Sequence, residues 1–453
     1  MLAAFLAGAA FVGGRVWREV AAPSATPPAT RVAQAGVLPS RQSVARSSGK
    51  SAETSAAKPR FGVAATFTQV QSLVQSEYVD PLPSDESLSH GAAQALLAAL
   101  EDEQSRFLLP SERAVMEREK AGNFAGIGAV TTVRGEKTVA GFTELHLLIV
   151  APLPGSPAQK AGLRTGDRVT HFDGKYILPA NPYLLPSKLP APKNATDEDG
   201  LGRGIGLLVA ERTLRQQTTG THVLTVARRG TKQPFTVTVG NAATTAPPLR
   251  VSRVGAATVL TMGAFTKTTL GALEAALRAA PPHGSVVLDL RQNAGVGSLD
   301  VARMVAARLA PGSVFALEIG AKGKRVALPM PSPEKGEAVA RRKIAVLTDG
   351  GTAGLAEAVA AYLVDNGASI VGTGRTWGDG RSTTLYPLAD GSGYTLTTGR
   401  LIGSGGTGWD KRGLAPRLLL PAGLSEAETL ARATRAATVG EAMMAKTTKG
   451  ATR

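Results

Sequence analysis

A glycine-rich turn between residues 349 and 357 carries the side chains with the clearest capacity for chemistry. It reads Asp349-Gly350-Gly351-Thr352-Ala353-Gly354-Leu355-Ala356-Glu357. A threonine hydroxyl acts as a nucleophile where a base reaches it, and it also caps a helix by accepting a backbone N–H. We expect Thr352 to be a helix N-cap, with a nucleophile as the alternative.

Histidine, thiol and metal chemistry have little support in the rest of the chain. The five histidines are scattered and none sits in a glycine-bracketed turn: His90, His146, His171, His222 and His283. The chain has no cysteine, which excludes thiol chemistry. No spacing of His, Asp and Glu resembles a known ligand pattern. We therefore expect neither a metal nor a cofactor.

Length and charge set the wider frame. The 453 residues are enough for two or three domains, and the net charge of +16 is spread over basic segments at residues 15–60 and 411–453. A nucleic-acid-binding protein clusters Lys and Arg with exposed aromatic residues on one element, and no such stripe is present. Attraction to an anionic membrane surface fits this charge better.

The N-terminus indicates export. Residues 1–14 are almost wholly apolar, too short for a membrane span of about 20 residues but of the length of a secretory apolar region. We interpret residues 1–21 as a signal or membrane anchor, with a buried core helix as the alternative. The usual preceding basic residues are missing, so either the segment is atypical or the start codon is set too late. Residues 22–60 predict a disordered linker, and we expect a periplasmic or membrane-tethered location in the cell envelope.

Hydrophobic periodicity predicts an α+β or mixed α/β chain. Phe67, Val70, Leu73 and Val74 fall at helical spacing, and strands alternate with helices from Val254 onward, which is typical of parallel strands. The expected parts are an N-terminal helical element at 61–121, a β domain at 122–242 with a Pro-rich insertion at 178–203, an α/β core at 250–420, and a C-terminal helix with a basic tail at 421–453.

Four blocks in one order carry a family resemblance. They are Tyr78-Val79-Asp80-Pro81 with the run from Ser105 to Glu112, the run from Gly155 to Val169, the run from Val286 to Gly295, and the run from Ile344 to Gly378. From about Phe61 to Leu420 the chain resembles the C-terminal processing peptidases, also called tail-specific proteases. Within this resemblance, the second block is similar to a PDZ domain.

The resemblance implies a serine nucleophile, a lysine 25 positions later and a glutamine four positions beyond the lysine. On this chain those positions are occupied by Gly354, Asp379 and Thr383. A Ser/Lys enzyme needs an alcohol oxygen and a desolvated amine to take its proton. Glycine offers no oxygen, and aspartate would place negative charge where an oxyanion develops. We therefore expect no catalytic residues, with Thr352 as the fallback nucleophile.

Two backbone features could survive without catalytic side chains. Gly295, after Asn293 and Ala294, could present N–H groups as an oxyanion turn, although a plain turn after a buried strand is the favoured interpretation. In PDZ domains a glycine-rich loop binds a terminal carboxylate and the next strand pairs with the peptide. Here the expected loop is Phe124-Ala125-Gly126-Ile127 and the pairing strand begins at Gly128. The alternative is a loop that only packs on the core.

Three functions remain open from the sequence. The first is a catalytically degenerate homologue of the tail-specific proteases that binds unstructured protein C-termini or a partner protease. The second is an active serine-type or threonine-nucleophile endopeptidase of the same family. The third is a purely structural interaction protein whose PDZ-like groove is closed.

Overall fold

The computed structural model of this chain describes residues 63–137, 143–178, 205–281, 284–331 and 342–439. The expected signal or anchor at 1–21, the linker at 22–60, nearly all of the insertion at 178–203 and the tail beyond 439 lie outside these residues. The chain divides at residue 88 into two units. The mixed helix and strand content confirms the predicted fold class.

Nine α-helices are present in the described residues. They are α1 Val63–Glu77, α2 Asp85–Ala98, α3 Pro110–Lys120, α4 Pro157–Lys160, α5 Leu207–Gln216, α6 Lys267–Ala279, α7 Leu299–Leu309, α8 Leu355–Asp365 and α9 Glu426–Val439. In α1 the predicted apolar positions are helical, but Phe67, Val70 and Leu73 are exposed.

The first large sheet of the second unit belongs to the β domain. Its strands are β3 Ala129–Lys137, β4 Thr143–Pro152, β5 Arg168–Phe172, β6 Lys175–Leu178, β7 Ile205–Gly206, β8 Thr221–Ala227 and β9 Phe235–Gly240. Alternate residues of these strands bury an apolar core with α5 that includes Leu147, Ile149 and Leu224. Strand β3 pairs with β4 alone among the described residues, so it is an edge strand.

The second large sheet forms the α/β core. Its order is β11 Arg250–Val254, β12 Ala257–Thr261, β13 Val286–Asp289, β16 Ile344–Thr348, β17 Ser369–Gly372 and β20 Leu418–Leu419. All neighbours from β12 onward are parallel, as predicted. Val286 and Leu288 pack with α7 and α8, whereas Val287 packs with α9 on the other face. A sheet covered on both faces leaves its strand ends as the place for a site.

The remaining strands complete the second unit. A smaller sheet contains β1 Arg106–Leu108, β14 Val314–Gly320, β15 Arg325–Pro329, β18 Arg381–Pro387 and β19 Gly393–Ile402, and a two-stranded pair joins β2 Asn123–Phe124 to β10 Thr244–Thr245. Strand β1 pairs with β19. This pairing brings the segment that precedes β1 next to β19.

Candidate functional site

Two turns meet at the carboxyl ends of β13 and β16. The Ala353 N–H donates to the Asn293 carbonyl oxygen at 2.9 Å, which ties the turn after β16 to the turn after β13. Gly295 has φ +75°, and a Cβ there would lie 2.6 Å from both the Ala353 oxygen and the Leu355 nitrogen. No side chain fits at that distance. Residue 295 must therefore be glycine for its backbone to contact the backbone of Gly354.

Gly354 is the N-cap of α8 and adopts φ +52° and ψ −117°, a conformation that side chains disfavour. The space around it nevertheless admits a Cβ at ordinary van der Waals distances. A Cβ built on Gly354 would lie 3.9 Å from Asp379 Oδ2 and 3.8 Å from the Ala294 oxygen. A side chain at 354 would therefore face the residue at 379, which is the arrangement a nucleophile and its base require.

Glu357 fastens the loop after β17 to the start of α8. Its carboxylate is fully buried and accepts the N–H groups of Gly354 at 3.1 Å, Gly378 at 2.8 Å and Asp379 at 2.7 Å, together with the Thr376 hydroxyl. Burial, with a smaller contribution from the nearby Asp379 charge, raises the pKa of Glu357 to about 7, although the Thr376 hydroxyl and the N–H groups of Asp379 and Gly378 oppose the shift. The carboxylate thus holds residues 354 and 379 at their present separation.

Asp379 and Thr383 are joined by a residue that the sequence did not single out. Gln104 Nε2 donates to Asp379 Oδ1 at 3.1 Å, and the Thr383 hydroxyl donates to Gln104 Oε1 at 2.9 Å. The structure therefore brings Gly354, Asp379 and Thr383 into one cluster. Gln104 stands directly before the quoted run that begins at Ser105, and that neighbourhood was the only signal in the sequence for its role.

A network of charges surrounds Asp379. Arg381 pairs with Glu103 at 2.6 Å and Asp102 at 3.1 Å, and its Nε lies 3.8 Å from Asp379 Oδ1. Burial raises the pKa of Asp379 above its ordinary value, the Asp410 charge adds to this, and Arg381 opposes it. The site is thus built from carboxylates and guanidiniums, and within the described residues no lysine amine forms a hydrogen bond or ion pair with Asp379.

The predicted N-cap role of Thr352 is wrong, because Gly354 caps α8. The Thr352 side chain is fully buried and its hydroxyl donates to the Leu290 carbonyl oxygen at 2.8 Å. It also accepts the Asp349 N–H at 3.0 Å, upstream of the helix. The Thr352 hydroxyl therefore both donates and accepts a hydrogen bond, and these bonds join the two turns. This is a structural role, and it leaves the oxygen of the fallback nucleophile already bonded.

Gly295 lies where an oxyanion turn was considered, directly against Gly354. Its own N–H donates to Asn293 Oδ1 at 2.9 Å, a short-range bond typical of an Asx turn. Asn293 is itself fully buried and its amide donates to the Met262 carbonyl oxygen. The N–H of Gly295 is therefore engaged within the turn.

The expected carboxylate-binding loop packs on the end of α5. Phe124 belongs to strand β2, and the N–H groups of Gly126 and Ile127 donate to the carbonyl oxygens of Gln217 at 2.6 Å and Leu214 at 3.0 Å. These two donors are the ones that the sequence assigned to a peptide carboxylate. The expected pairing strand fares differently, because from Ala129 onward it is the edge strand β3.

The β domain contacts the core at both sides of the site. The Thr165 hydroxyl donates to Gln292 Oε1 at 3.1 Å, and Gln292 Nε2 donates to Asp349 Oδ2 at 2.5 Å. On β3, the Arg134 guanidinium lies 4.5 Å from the centre of the Trp377 ring, a cation–π distance. The turn after β16 and the loop after β17 are thus both braced by the β domain.

Metal clusters and membrane-spanning helices are both absent from the described ranges. There, no group of three or more His, Cys, Asp or Glu side chains is arranged to hold a metal ion. Across the same stretch of chain, no helix combines the length and the apolar character needed to cross a bilayer.

Comparison with known proteins identifies two regions of the chain. Residues 256–419 match the model of peptidase family S41, and residues 148–182 match the model of the PDZ domain. These regions correspond to the α/β core and to part of the sheet that contains β3. Together with the relatives below, they confirm the predicted resemblance.

Curated relatives and one solved structure extend over most of the chain. It is 28% identical over 354 residues to the C-terminal processing peptidase, chloroplastic, of Tetradesmus obliquus, covering 77% of this chain and 71% of that protein. It is 27% identical over 335 residues to the carboxyl-terminal-processing protease of Synechocystis sp., covering 72% and 70%. The structure of a photosystem II D1 C-terminal processing protease superposes with a TM-score of 0.60 at 22% identity, over 83% of this chain and 92% of that chain, which shows a shared fold.

Proposed function

The chain belongs to the C-terminal processing protease family with a PDZ domain, and from that membership we propose that it is a catalytically degenerate member that binds polypeptide C-termini without cleaving them. One observation carries the proposal. At the point where a side chain on residue 354 would face residue 379, the chain has glycine and aspartate, which supply neither an attacking oxygen nor an amine to activate it.

The magnitude of the loss supports a noncatalytic function. Removing the nucleophile of a serine hydrolase lowers turnover on the order of a million-fold. Asp379 cannot compensate as a base, because Gly354 has no hydroxyl proton to give up. The Asp379 carboxylate is also already bonded to Gln104. Thr352 is held by the Leu290 carbonyl oxygen and the Asp349 N–H, so attack on a substrate would require both bonds to break.

Binding requires less than catalysis. An extended peptide can add to a sheet edge through main-chain hydrogen bonds alone, and β3 offers such an edge in the PDZ domain. The Gly126 and Ile127 N–H groups are bonded to the end of α5, so a terminal carboxylate would have to compete with two carbonyl oxygens. That contact favours a second candidate, a structural interaction protein with a closed groove.

The proposed location is the cell envelope. There, the polypeptides whose C-termini the protein would bind are unfolded or newly exported chains. The apolar segment at residues 1–14 and the arginines that follow it support this location. The proposed partners are unstructured C-termini or a working protease that the chain assists.

Fluorescence anisotropy tests this function. A labelled decapeptide that ends in leucine and two alanines with a free carboxylate is titrated with the full-length chain, and the same peptide with an amidated C-terminus is the control. We expect saturable binding of the first peptide and binding at least tenfold weaker for the amide. Equal binding, or none of either, would favour the structural interaction protein.

A further inference from the structure

Five consecutive residues after α2, the last of which begins β1, join the PDZ domain to the degenerate site. In this segment, residues 102–106, which we term the strap, Asp102 and Glu103 pair with Arg381, and Gln104 binds Asp379 and Thr383. Ser105 Oγ accepts the Thr397 N–H at 2.9 Å. Each strap residue thus has a partner on another element.

The strap also contacts the PDZ domain at two points. Glu103 Oε1 accepts the Gly135 N–H of β3 at 3.0 Å, and Arg106 Nη1 lies 2.5 Å from Glu211 Oε2 on α5. Glu211 is buried, which opposes its ionisation, yet the Arg106 and Arg215 guanidiniums hold its pKa below the ordinary value. These ion pairs fix the strap against the strand and the helix of the PDZ domain.

The Gly135 bond occupies the outer edge of β3. Gly135 stands opposite Leu145 in the register of β3 and β4, and an N–H that donates to Glu103 points away from β4. A polypeptide that pairs with β3 needs that same donor. Because outward positions recur at every second residue, Val133 lies on the same side as Gly135.

Glu103 is well suited to hold this donor. Its side chain is 10% exposed and is bonded to both Gly135 and Arg381. Burial opposes ionisation, but these two bonds lower the pKa of Glu103 below its ordinary value. The contact is therefore a charge-assisted hydrogen bond, which is shorter and stronger than a neutral one.

We propose that Glu103 sets the length of polypeptide that the PDZ domain accepts. This inference rests on the proposed function. An added strand can pair with β3 from Ala129 to Arg134, about six residues at about 3.3 Å each, and is stopped at Gly135 by the Glu103 carboxylate. The protein would therefore bind short C-terminal tails. Residues further from the terminus would form no main-chain hydrogen bonds with β3.

A peptide-length series tests the limit. Labelled peptides of four, six, eight and ten residues with one common C-terminal sequence are titrated with the full-length wild-type chain and with the Glu103→Ala variant. For the wild type we expect affinity to rise up to six residues and then level off. For Glu103→Ala we expect a further gain of about tenfold between six and ten residues, since the Gly135 and Lys137 positions become available.

Two matched variants isolate the Gly135 bond. Gln104→Ala loosens the strap at Asp379 but leaves Glu103 in place, so its affinity should level off at six residues like the wild type. Glu274→Ala removes a carboxylate that pairs with Arg308 at 3.0 Å in the core, and it should also behave like the wild type. A plateau at six residues in Glu103→Ala, or continued gain in the wild type, would overturn the proposal.

Hydrogen exchange separates this proposal from the proposed function. Without any peptide, the Gly135 amide should exchange about tenfold faster in Glu103→Ala than in the wild type or in Glu274→Ala. Unchanged Gly135 exchange in folded Glu103→Ala protein would overturn the role of Glu103. Faster exchange with no binding of any peptide would instead leave the Gly135 contact established and contradict the peptide-binding function.

Discussion

The site at residues 354, 379 and 383 and the edge of the PDZ domain differ in whether side-chain or backbone atoms would carry their function. At the site, backbone contacts join Gly295, Gly354 and the loop held by Glu357, while residues 354 and 379 are glycine and aspartate. At β3 the functional atoms are backbone N–H and carbonyl groups, which no substitution removes except proline. Catalysis can therefore be lost through two side chains, whereas strand pairing survives sequence change.

The preserved backbone of the site also explains why the fold is retained. Glu357 binds three N–H groups and one hydroxyl, and Thr352 joins the turns after β13 and β16. These bonds stabilise the core whether or not chemistry occurs. Substitutions in the backbone contacts and at Asp379 therefore have separable effects on stability.

The largest effect is expected at Gly295. In Gly295→Ala the new Cβ would lie 2.6 Å from two backbone atoms of the turn at 353–355, at a positive φ. We expect a loss of about 5 kcal/mol in unfolding free energy, or failure to fold, measured by urea unfolding with tryptophan fluorescence. Gly174→Ala is the control, since Gly174 has φ +76° but nothing within 4 Å of its Cβ, and should lose only about 1 kcal/mol. Equal losses would show that the contact with the turn does not matter.

A slightly smaller effect is expected for Glu357→Gln. Each oxygen of the Glu357 carboxylate accepts two hydrogen bonds. In glutamine an NH2 group, which only donates, replaces one of these oxygens, so two donors of the site would lose their acceptor. We expect a destabilisation of about 4 kcal/mol by urea unfolding at pH 8, where the wild-type carboxylate is ionised and accepts all four bonds. Glu274→Gln, at a partly exposed ion pair, should lose less than about 1 kcal/mol. A near-neutral Glu357→Gln would contradict the role of Glu357 as the fastener of the site.

The pH dependence of the unfolding free energy also tests the role of Glu357. The pKa of Glu357 is raised from 4.5 to about 7 in the folded protein, so folding favours the protonated carboxyl. Its contribution is fully present below pH 4.5 and is lost as the pH rises to about 7, which amounts to about 3 kcal/mol. We expect this decline in the wild type and its absence in Glu357→Gln. Parallel pH profiles of the two proteins would assign the decline to other groups.

The smallest effect is expected at Asp379. Burial raises the pKa of Asp379, so its charge is poorly stabilised, and asparagine can still accept the Gln104 bond. Asp379→Asn should change the unfolding free energy by less than about 1 kcal/mol. Asp167→Asn is the control, because Asp167 is fully buried and bound twice by Arg228, and it should cost about 3 kcal/mol. A comparable cost at Asp379 would indicate that its charge stabilises the fold.

The sequence predicted the core elements well and the site only in part. The alternation of strands and helices from Val254 onward predicted the parallel pairing, and the strands at 286–289 and 344–348 are apolar up to their last residues, Asp289 and Thr348. The positions 354, 379 and 383 followed from the spacing that the family resemblance implies. Gln104 did not, because it reaches Asp379 across 275 positions and only the fold decides which distant side chains meet.

One local prediction failed because of a tertiary contact, and a second stays a prediction that a tertiary contact opposes. Thr352 has the side chain of an N-cap, but the Leu290 carbonyl oxygen binds its hydroxyl and the helix begins two residues later at Gly354. The loop at 124–127 has the glycine pattern of a carboxylate-binding loop, but α5 ends against it and accepts its N–H groups. In both cases a competing partner from another element takes the donor or acceptor.

The most direct test of the central claim is mass spectrometry of a labelled, unfolded protein with an apolar C-terminus after incubation with the folded full-length chain. Thr352→Ala and Asp379→Asn variants are incubated in parallel. We predict an intact substrate in every sample. New fragments that appear with the wild type and disappear in either variant would contradict the account and identify the residue responsible for cleavage.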